Sequence, residues 1–289
     1  MIVRRIEGTG AVDLSPLGRC AQRPRQAHRV VGSRVWMAVE GGRAWGYVLT
    51  APLPGLPGLH EIEFFVAPAR RRQGIGSLLW QAASAEVAGE PDVLSVSAAL
   101  DRRGGALARF LAAQGFRPEH VEWEMRLERL DDLAAPFWPA GYEAATFSRP
   151  EAITKFSAVY DASFGPEPWY QPFSSGEVAE ALEAASDLLF AVNGGEPVGV
   201  AWTRVEGELG VVEPIGVVPA HQGRGVGKAL LVTALSAMRR RGAEAARLGV
   251  WKDNRPAIAL YRQLGFRRSG SRTYVAYDFG ASPAGRRLR

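Results

Sequence analysis

Apolar and polar positions recur along the chain with periods that outline most elements. Ile75, Leu78, Leu79, Ala82, Ala83 and Val87 have the spacing of one helix face, and Gly89 with Pro91 stops that helix. Val226, Ala229, Leu230, Thr233, Ala234, Ala237 and Met238 repeat the pattern, with Gly242 as the stop. Shorter β-favouring runs predict strands at 3–6, 35–39, 45–49, 61–66, 93–98 and 123–127 in the first half. In the second half they predict strands at 142–145, 188–192, 198–205, 210–218, 247–250 and 273–279. Helical stretches fall at 105–113, 152–160 and 176–185, with a weaker one over 13–31 interrupted by Pro16 and Pro24. Asn254 caps a further short helix with Pro256 in its first turn. Residues 280–289 read as a frayed tail.

The same order of elements occurs twice, and so do three short segments. Ala38-Val39-Glu40-Gly41-Gly42 matches Ala191-Val192-Asn193-Gly194-Gly195 at an offset of 153 residues. Val66 to Gly76 matches Val217 to Gly227 at an offset of 151, and Leu111 to Phe116 matches Tyr261 to Phe266 at 150. A duplicated domain follows. The boundary is expected between Asp131 and Gly141, where Pro136 and Pro139 break structure, giving domains 1–135 and 136–289. Each is expected to be α+β, a mixed and largely antiparallel sheet flanked by helices.

Composition narrows the class without naming it. With 289 residues, 47% apolar and 22% charged, either half has enough material for a core. The net charge of +5 reflects arginines at 70–72, 239–241 and in the tail rather than a basic stripe interleaved with aromatics. Nucleic acid is therefore not an expected partner. Cys20 is the single cysteine, so there is no intrachain disulfide. Four scattered histidines without a Cys-x-x-Cys give no metal site. The N-terminus lacks the apolar core of a signal peptide, and no apolar run approaches a membrane span. A cytoplasmic protein with no membrane partner is expected.

The chemistry points to Pro219-Ala-His-Gln-Gly-Arg-Gly-Val-Gly227, a glycine turn between a strand and a helix. Backbone N–H groups and the helix dipole make such a turn an anion cradle. The dinucleotide pattern Gly-x-Gly-x-x-Gly fails, because Lys228 stands where the third glycine belongs. The P-loop pattern fails too: Ala229 follows Gly227-Lys228 in place of Ser or Thr.

Gln222-Gly-Arg-Gly-Val-Gly227, followed by Asn254-x-x-Ala-x-x-Leu-Tyr261-x-x-x-Gly265-Phe266, resembles the GNAT superfamily of acyl-CoA-dependent N-acyltransferases, here in tandem form. The resemblance covers residues 213–279 strongly, 188–203 well and 61–127 more weakly. It implies an N-acetyltransferase moving acetyl from acetyl-CoA, the cosubstrate, to a primary amine of a small molecule or peptide by direct attack on the thioester. Gln222, Gly223, Arg224, Gly225, Val226, Gly227 and Lys228 would hold the pyrophosphate. Val217 and Val218 would pair with the pantetheine arm, and Asn254 would contact the cosubstrate. Tyr261 would protonate the departing thiolate. Glu213, just before the cosubstrate end of its strand, is the candidate base, with Glu206 and Glu208 behind it. Trp169, Tyr170 and Trp202 with Glu177, Glu180 and Glu206 are candidates for an acceptor pocket.

In the first copy Leu111 replaces the tyrosine, Gly104 the asparagine and Arg72 the first glycine of the turn. That copy is expected to be degenerate, structural or still acyl-CoA-binding. The alternative function is a non-catalytic acyl-CoA sensor.

Overall fold

Both faces of the first sheet are apolar because both are covered. The structure is a computed structural model and describes residues 1–7, 12–27, 30–90, 93–101, 105–167, 170–183 and 186–279. In the first half the elements are β1 (Ile2–Arg5), α1 (Gln22–Ala27), β2 (Arg34–Glu40), β3 (Arg43–Pro52), β4 (Leu59–Val66), α2 (Ile75–Val87), β5 (Ser95–Leu100) and α3 (Ala106–Ala113). Successive side chains of β2 go to opposite faces. Trp36 and Ala38 pack with Leu79, Trp80 and Ala83 of α2, while Val35 and Met37 pack with Leu17 and Ala27. This is why β2 reads as a nearly unbroken apolar run.

The second half continues with β6 (Arg117–Leu127), β7 (Tyr142–Ala145), α4 (Arg149–Phe164), α5 (Ser175–Glu183), β8 (Ser186–Asn193), β9 (Glu196–Glu206), β10 (Leu209–Val217), α6 (Val226–Arg240), β11 (Ala245–Trp251), α7 (Arg255–Gln263) and β12 (Arg267–Asp278). The predicted elements are present, most strands being longer than predicted. Two of them, β6 and β12, extend well beyond the apolar cores at 123–127 and 273–279 into polar sequence that carries no alternation of its own. The helix expected over 13–31 is a 3-10 segment, Ser15–Ala21, followed by α1. The predicted tail at 280–289 and parts of several loops, including Gly104 and Trp169, lie outside the described residues.

The chain forms two compact units. One comprises Met1–Glu119 with the segment beginning at Thr273, the other His120–Arg272. A single cut near 135 leaves β6 with the first repeat and β12 with the second, but the strands are placed the other way round. In the first unit the strand order is β1-β2-β3-β4-β5-β12, and Thr273–Asp278 of β12 pairs antiparallel with β5. Val275 joins the buried cluster there, and the Trp80 ring packs on Tyr277 and Phe116 at centroid distances of 4.9 and 5.0 Å. In the second unit the order is β6-β11-β10-β9-β8-β7, with β6 antiparallel to β11. Met125, Leu127 and Leu130 are buried there against Leu235, Leu248 and Phe266. Each repeat thus supplies the strand that completes the other unit.

The second unit is also covered on both faces. Phe156 and Tyr160 of α4 pack with Phe190 and Trp202, while Leu231 and Leu235 of α6 and Ile258 and Tyr261 of α7 pack with Val212 and Leu248. Fully burying each such side chain is worth ~1.5–3 kcal/mol. The start of α4 is set by a capping box between Ser148 and Glu151. No helix among the described residues is long and apolar enough to cross a membrane.

Candidate active site

The site is built where β10 and β11 part. They pair in parallel from Leu209 with Ala245 to Val212 with Leu248, and no further. β11 continues to Trp251, while β10 passes through an irregularity between Val212 and Ile215 that contains the cis Glu213–Pro214 bond. β10 then follows β9 as far as Val217 opposite Gly199. A gap therefore opens between β10 and β11 and leads to the glycine turn.

The turn has the form the sequence calls for. Pro219–His221 makes one 3-10 turn, Gln222 is extended, and Gly223 and Gly225 stand at φ values of +72° and +86° before α6 begins. These left-handed positions are costly for residues with a Cβ. α6 has no side-chain cap and no acidic residue in its first turn, and its first backbone bond is Ala229 N–H to Gly225 O at 3.1 Å. Among the described residues, the backbone N–H groups of 223–228 have no backbone acceptor. A run of free donors at an uncapped helix start with no competing carboxylate suits a pyrophosphate.

Gln222 is used differently from the expectation. Its backbone N–H donates to Pro219 O at 3.2 Å and its side-chain Nε2 to Val217 O at 2.8 Å. It braces the turn, and the free run begins at Gly223. Tyr142 adds a second brace: its hydroxyl lies 2.9 Å from His221 Nδ1 and accepts from Arg224 Nη1 at 3.4 Å. Val218 N–H bonds to Val198 O at 2.9 Å, so that end of β10 is fixed to β9. Lys228 is exposed on the first turn of α6, and Val226 and Gly227 begin that helix.

Asn254 and Tyr261 lie at the start and on the buried face of α7. Asn254 caps α7, its Oδ1 accepting from Ala257 N–H at 3.2 Å. Tyr261 is 5% exposed, beneath the start of the gap, among Val212, Leu248, Val250 and Phe266. Burial holds its phenol well above the ordinary tyrosine range, so it stays protonated across the physiological range.

Glu213 is half-buried on the other side of the sheet. Burial raises its carboxyl, Arg247 opposes that rise, and the neighbouring Glu122 adds to it. Arg247 Nη1 is 3.8 Å from Glu213 Oε1, and its Nη2 is 3.7 Å from Glu206. Glu206 is engaged by Arg204, whose Nε donates to it at 2.6 Å.

Among the described residues, the candidates for the acceptor pocket are engaged elsewhere in part: Tyr170 and Trp202 share one aromatic cluster. Trp202 is buried against Phe156 and Phe173, and the Tyr170 hydroxyl donates to Asp161 at 2.6 Å. Glu177 accepts from the backbone N–H and hydroxyl of Ser174, so it caps α5. Two residues absent from the sequence reading stand beside Glu213: Gly249 on β11, and Glu122 on β6. A glycine within the run Leu248-Gly249-Val250 is the one local signal of a close approach there.

The first unit keeps the backbone of the turn without its residues. Gly74 is at φ +79° before an uncapped α2, and Arg72 takes the first left-handed position at φ +62°. Arg72 is the only non-glycine residue with positive φ among those described. β4 and β5 part after Glu61, as β10 and β11 do. Leu111 is buried at 1% exposure where the second unit has Tyr261.

Two split sheets, each followed by an uncapped glycine turn, define a tandem acyltransferase architecture. Comparison with known proteins gives the family. The model described as "Acetyltransferase (GNAT) family" matches residues 132–266, and the "Acetyltransferase (GNAT) domain" model matches 31–118. A mycothiol acetyltransferase from Clavibacter michiganensis is 36% identical over 216 residues, spanning 72% of this chain and 69% of that protein. The crystal structure of a GCN5-related N-acetyltransferase from Sphaerobacter thermophilus aligns with a TM-score of 0.70 at 20% identity, over 97% of this chain and 96% of that one. A tandem GNAT protein from the clavulanic acid biosynthesis pathway aligns at 0.68 and 18%, over 97% and 100%. The chain belongs to the GNAT acetyltransferase family, in tandem form and related to the mycothiol acetyltransferases. It is an acetyl-CoA-dependent N-acetyltransferase.

Proposed function

We propose that acetyl transfer takes place in the second repeat, 136–289, at the gap between β10 and β11, on an amine of the mycothiol type for which the relatives are named. The first repeat, 1–135, is degenerate in chemistry. The observation that carries this reading is the juxtaposition of the free N–H run at 223–228, the parting of the strands after Val212 and Leu248, and Glu213 beside that parting.

The residues divide the work. N–H groups from Gly223 to Lys228 hold the pyrophosphate, with Gln222 bracing the turn. The edge of β10 that β11 leaves receives the pantetheine arm as an added strand near Val217 and Val218, with Val217 O held by Gln222 and Val218 N–H by β9. Asn254 has its Nδ2 to offer the cosubstrate while its Oδ1 caps α7. An acceptor ammonium gives one proton to Glu213. The neutral nitrogen then attacks the thioester carbonyl, a C–N bond forms and the C–S bond breaks with its electron pair on sulfur. The nitrogen loses its second proton as the amide forms, and the sulfur gains one.

Tyr261 acts at that last step by hydrogen bonding. A thiol has a pKa of ~8.5, below that of any phenol raised above its usual ~10. Outright transfer from Tyr261 to a thiolate is uphill, and stabilising the developing charge is what the phenol can do. Tyr261→Phe is therefore expected to lower kcat by only about tenfold, less than the ~10²–10⁴ typical of a full acid or base. Thiol release from acetyl-CoA across a panel of primary amines, for wild type and this variant, measures it. No thiol release with any amine overturns the reading.

The cradle gives a separate prediction. Gly225→Val forces a Cβ into a left-handed position at a cost of ~1–2 kcal/mol and crowds the donors. The dissociation constant for acetyl-CoA, by isothermal titration, is expected to rise by about tenfold or more, since ~1.4 kcal/mol is tenfold. An unchanged constant would remove the turn from the binding site. Use of acetyl-CoA and the single half-buried thiol of Cys20 support a cytoplasmic setting.

A further inference from the structure

β6 and β10 flank β11, and each sends one carboxylate over the same residue. A Cβ on Gly249 would overlap Glu122 Oε1, and it would lie 3.5 Å from Glu213 Oε1. Glu122 stands opposite Trp251 in the β6–β11 register, and Glu124 opposite Gly249. The meeting point is therefore the stretch of β11 that β10 has just left. The groups that act electrostatically on Glu213 are Arg247 of β11, Glu122 of β6, Arg204 of β9 and Arg272 in the middle of β12. Arg247 is shared between Glu206 and Glu213 at distances beyond a hydrogen bond, and Arg204 is committed to Glu206. Any side chain at 249 would fill the space where the two carboxylates converge.

The acceptor of this reaction arrives as an ammonium ion at neutral pH, because aliphatic amines have pKa values of ~8–10. An ammonium has three donors in different directions and no acceptor, as for lysine. Two carboxylates converging from separate strands match it better than one does. We propose that Glu122, on the strand the first repeat lends to the second unit, is a specificity-determining residue that binds the acceptor's ammonium group together with Glu213. This rests on the acetyl transfer reading of the same gap and adds to it. Glu213 takes the proton. Glu122 holds the remaining N–H donors and orients the nitrogen toward the gap. The first repeat then contributes directly to acceptor choice although its own turn and Leu111 run no chemistry.

The test uses the full chain with acetyl-CoA and three probes that carry one primary ammonium on an uncharged body: glucosamine, glycinamide and ethanolamine. Thiol release is followed for wild type, Glu122→Gln and Glu122→Asp. Loss of a charge-assisted hydrogen bond is worth ~1.5–3 kcal/mol, so Glu122→Gln should raise the amine KM by about tenfold or more. The KM for acetyl-CoA should stay within about twofold and kcat within about threefold, since binding and not chemistry is lost. Glu122→Asp should recover part of the amine KM. A merely structural residue would shift both KM values and the melting temperature together, and that outcome overturns the proposal. So does an unchanged amine KM in Glu122→Gln while wild type turns over. If wild type turns over none of the three probes, the reading of the gap itself falls, and this inference with it.

Discussion

Glu213→Gln is expected to lower kcat by about 10²–10⁴-fold, the range for removing a general base, and to leave acetyl-CoA affinity unchanged. Glutamine has the same shape, so the loss is of a proton acceptor rather than of packing. Only the neutral amine attacks a thioester, and Glu213 stands beside the parting of β10 and β11. The pH dependence has a definite sign. The base must be ionised to act, and burial followed by Glu122 raises its carboxyl above the ordinary glutamate value while Arg247 opposes the rise. The acidic limb of kcat/KM should therefore lie above the usual carboxylate range. Arg247→Ala removes the opposing charge and should move the limb to still higher pH. Rate profiles for wild type, Glu213→Gln and Arg247→Ala check this. A limb that survives in Glu213→Gln, or moves down in Arg247→Ala, removes Glu213 from the base role.

A fragment cut at the repeat boundary, 136–289, is expected to be inactive and not to fold. It lacks β6, and with it Met125, Leu127 and Leu130, each 9% exposed or less in the full chain. Losing side chains of this kind from a core costs ~2–5 kcal/mol each, so three such losses reach the ~5–15 kcal/mol by which whole domains are stable. It also leaves β11 as an unpaired edge, prone to association. The complementary fragment 1–135 lacks β12, so Trp80 and Phe116 lose Val275 and Tyr277. A fragment cut along the compact units, 117–272, keeps β6, the turn, Tyr261 and Glu213, and is expected to fold and bind acetyl-CoA. Circular dichroism and acetyl-CoA titration on the three fragments decide the matter. A folded, active 136–289 would show that the lent strand is dispensable.

Local features were legible because they are written in neighbouring residues. The turn at 219–227, the glycine hairpins and the helix faces of α2 and α6 all depend on spacings of a few positions. Tyr261 and Asn254 could be named from the family resemblance because a fixed order of α6, β11 and α7 links them to the glycine turn. What escaped is non-local. Val121, Trp123, Met125 and Leu127 alternate as a strand should, but nothing in them says that the partner is Ala245–Trp251 and not β5. Glu122 could not be connected with Glu213 before that pairing was known.

One local signal went unused. Glu177, a candidate for the acceptor pocket, follows Ser174-Ser-Gly and so stands three residues after a serine at a helix start, as Glu151 does after Ser148 at α4. Both glutamates cap backbone. A capping glutamate has its charge already committed to N–H groups.

The lent strands also set the order in which the molecule can be finished. β5 pairs with β12 through Leu100 and Thr273, and β6 with β11 through Met125 and Leu248. Both pairings close long loops, the kind of contact that slows folding. During synthesis the first unit has its turn, its helices and most of its core long before its last strand exists. Its β5 edge stays unpaired until β12 has left the ribosome. The second unit reaches completeness earlier, once β11 and α7 have emerged. The half proposed to carry the chemistry therefore closes first, and the half made earlier closes last.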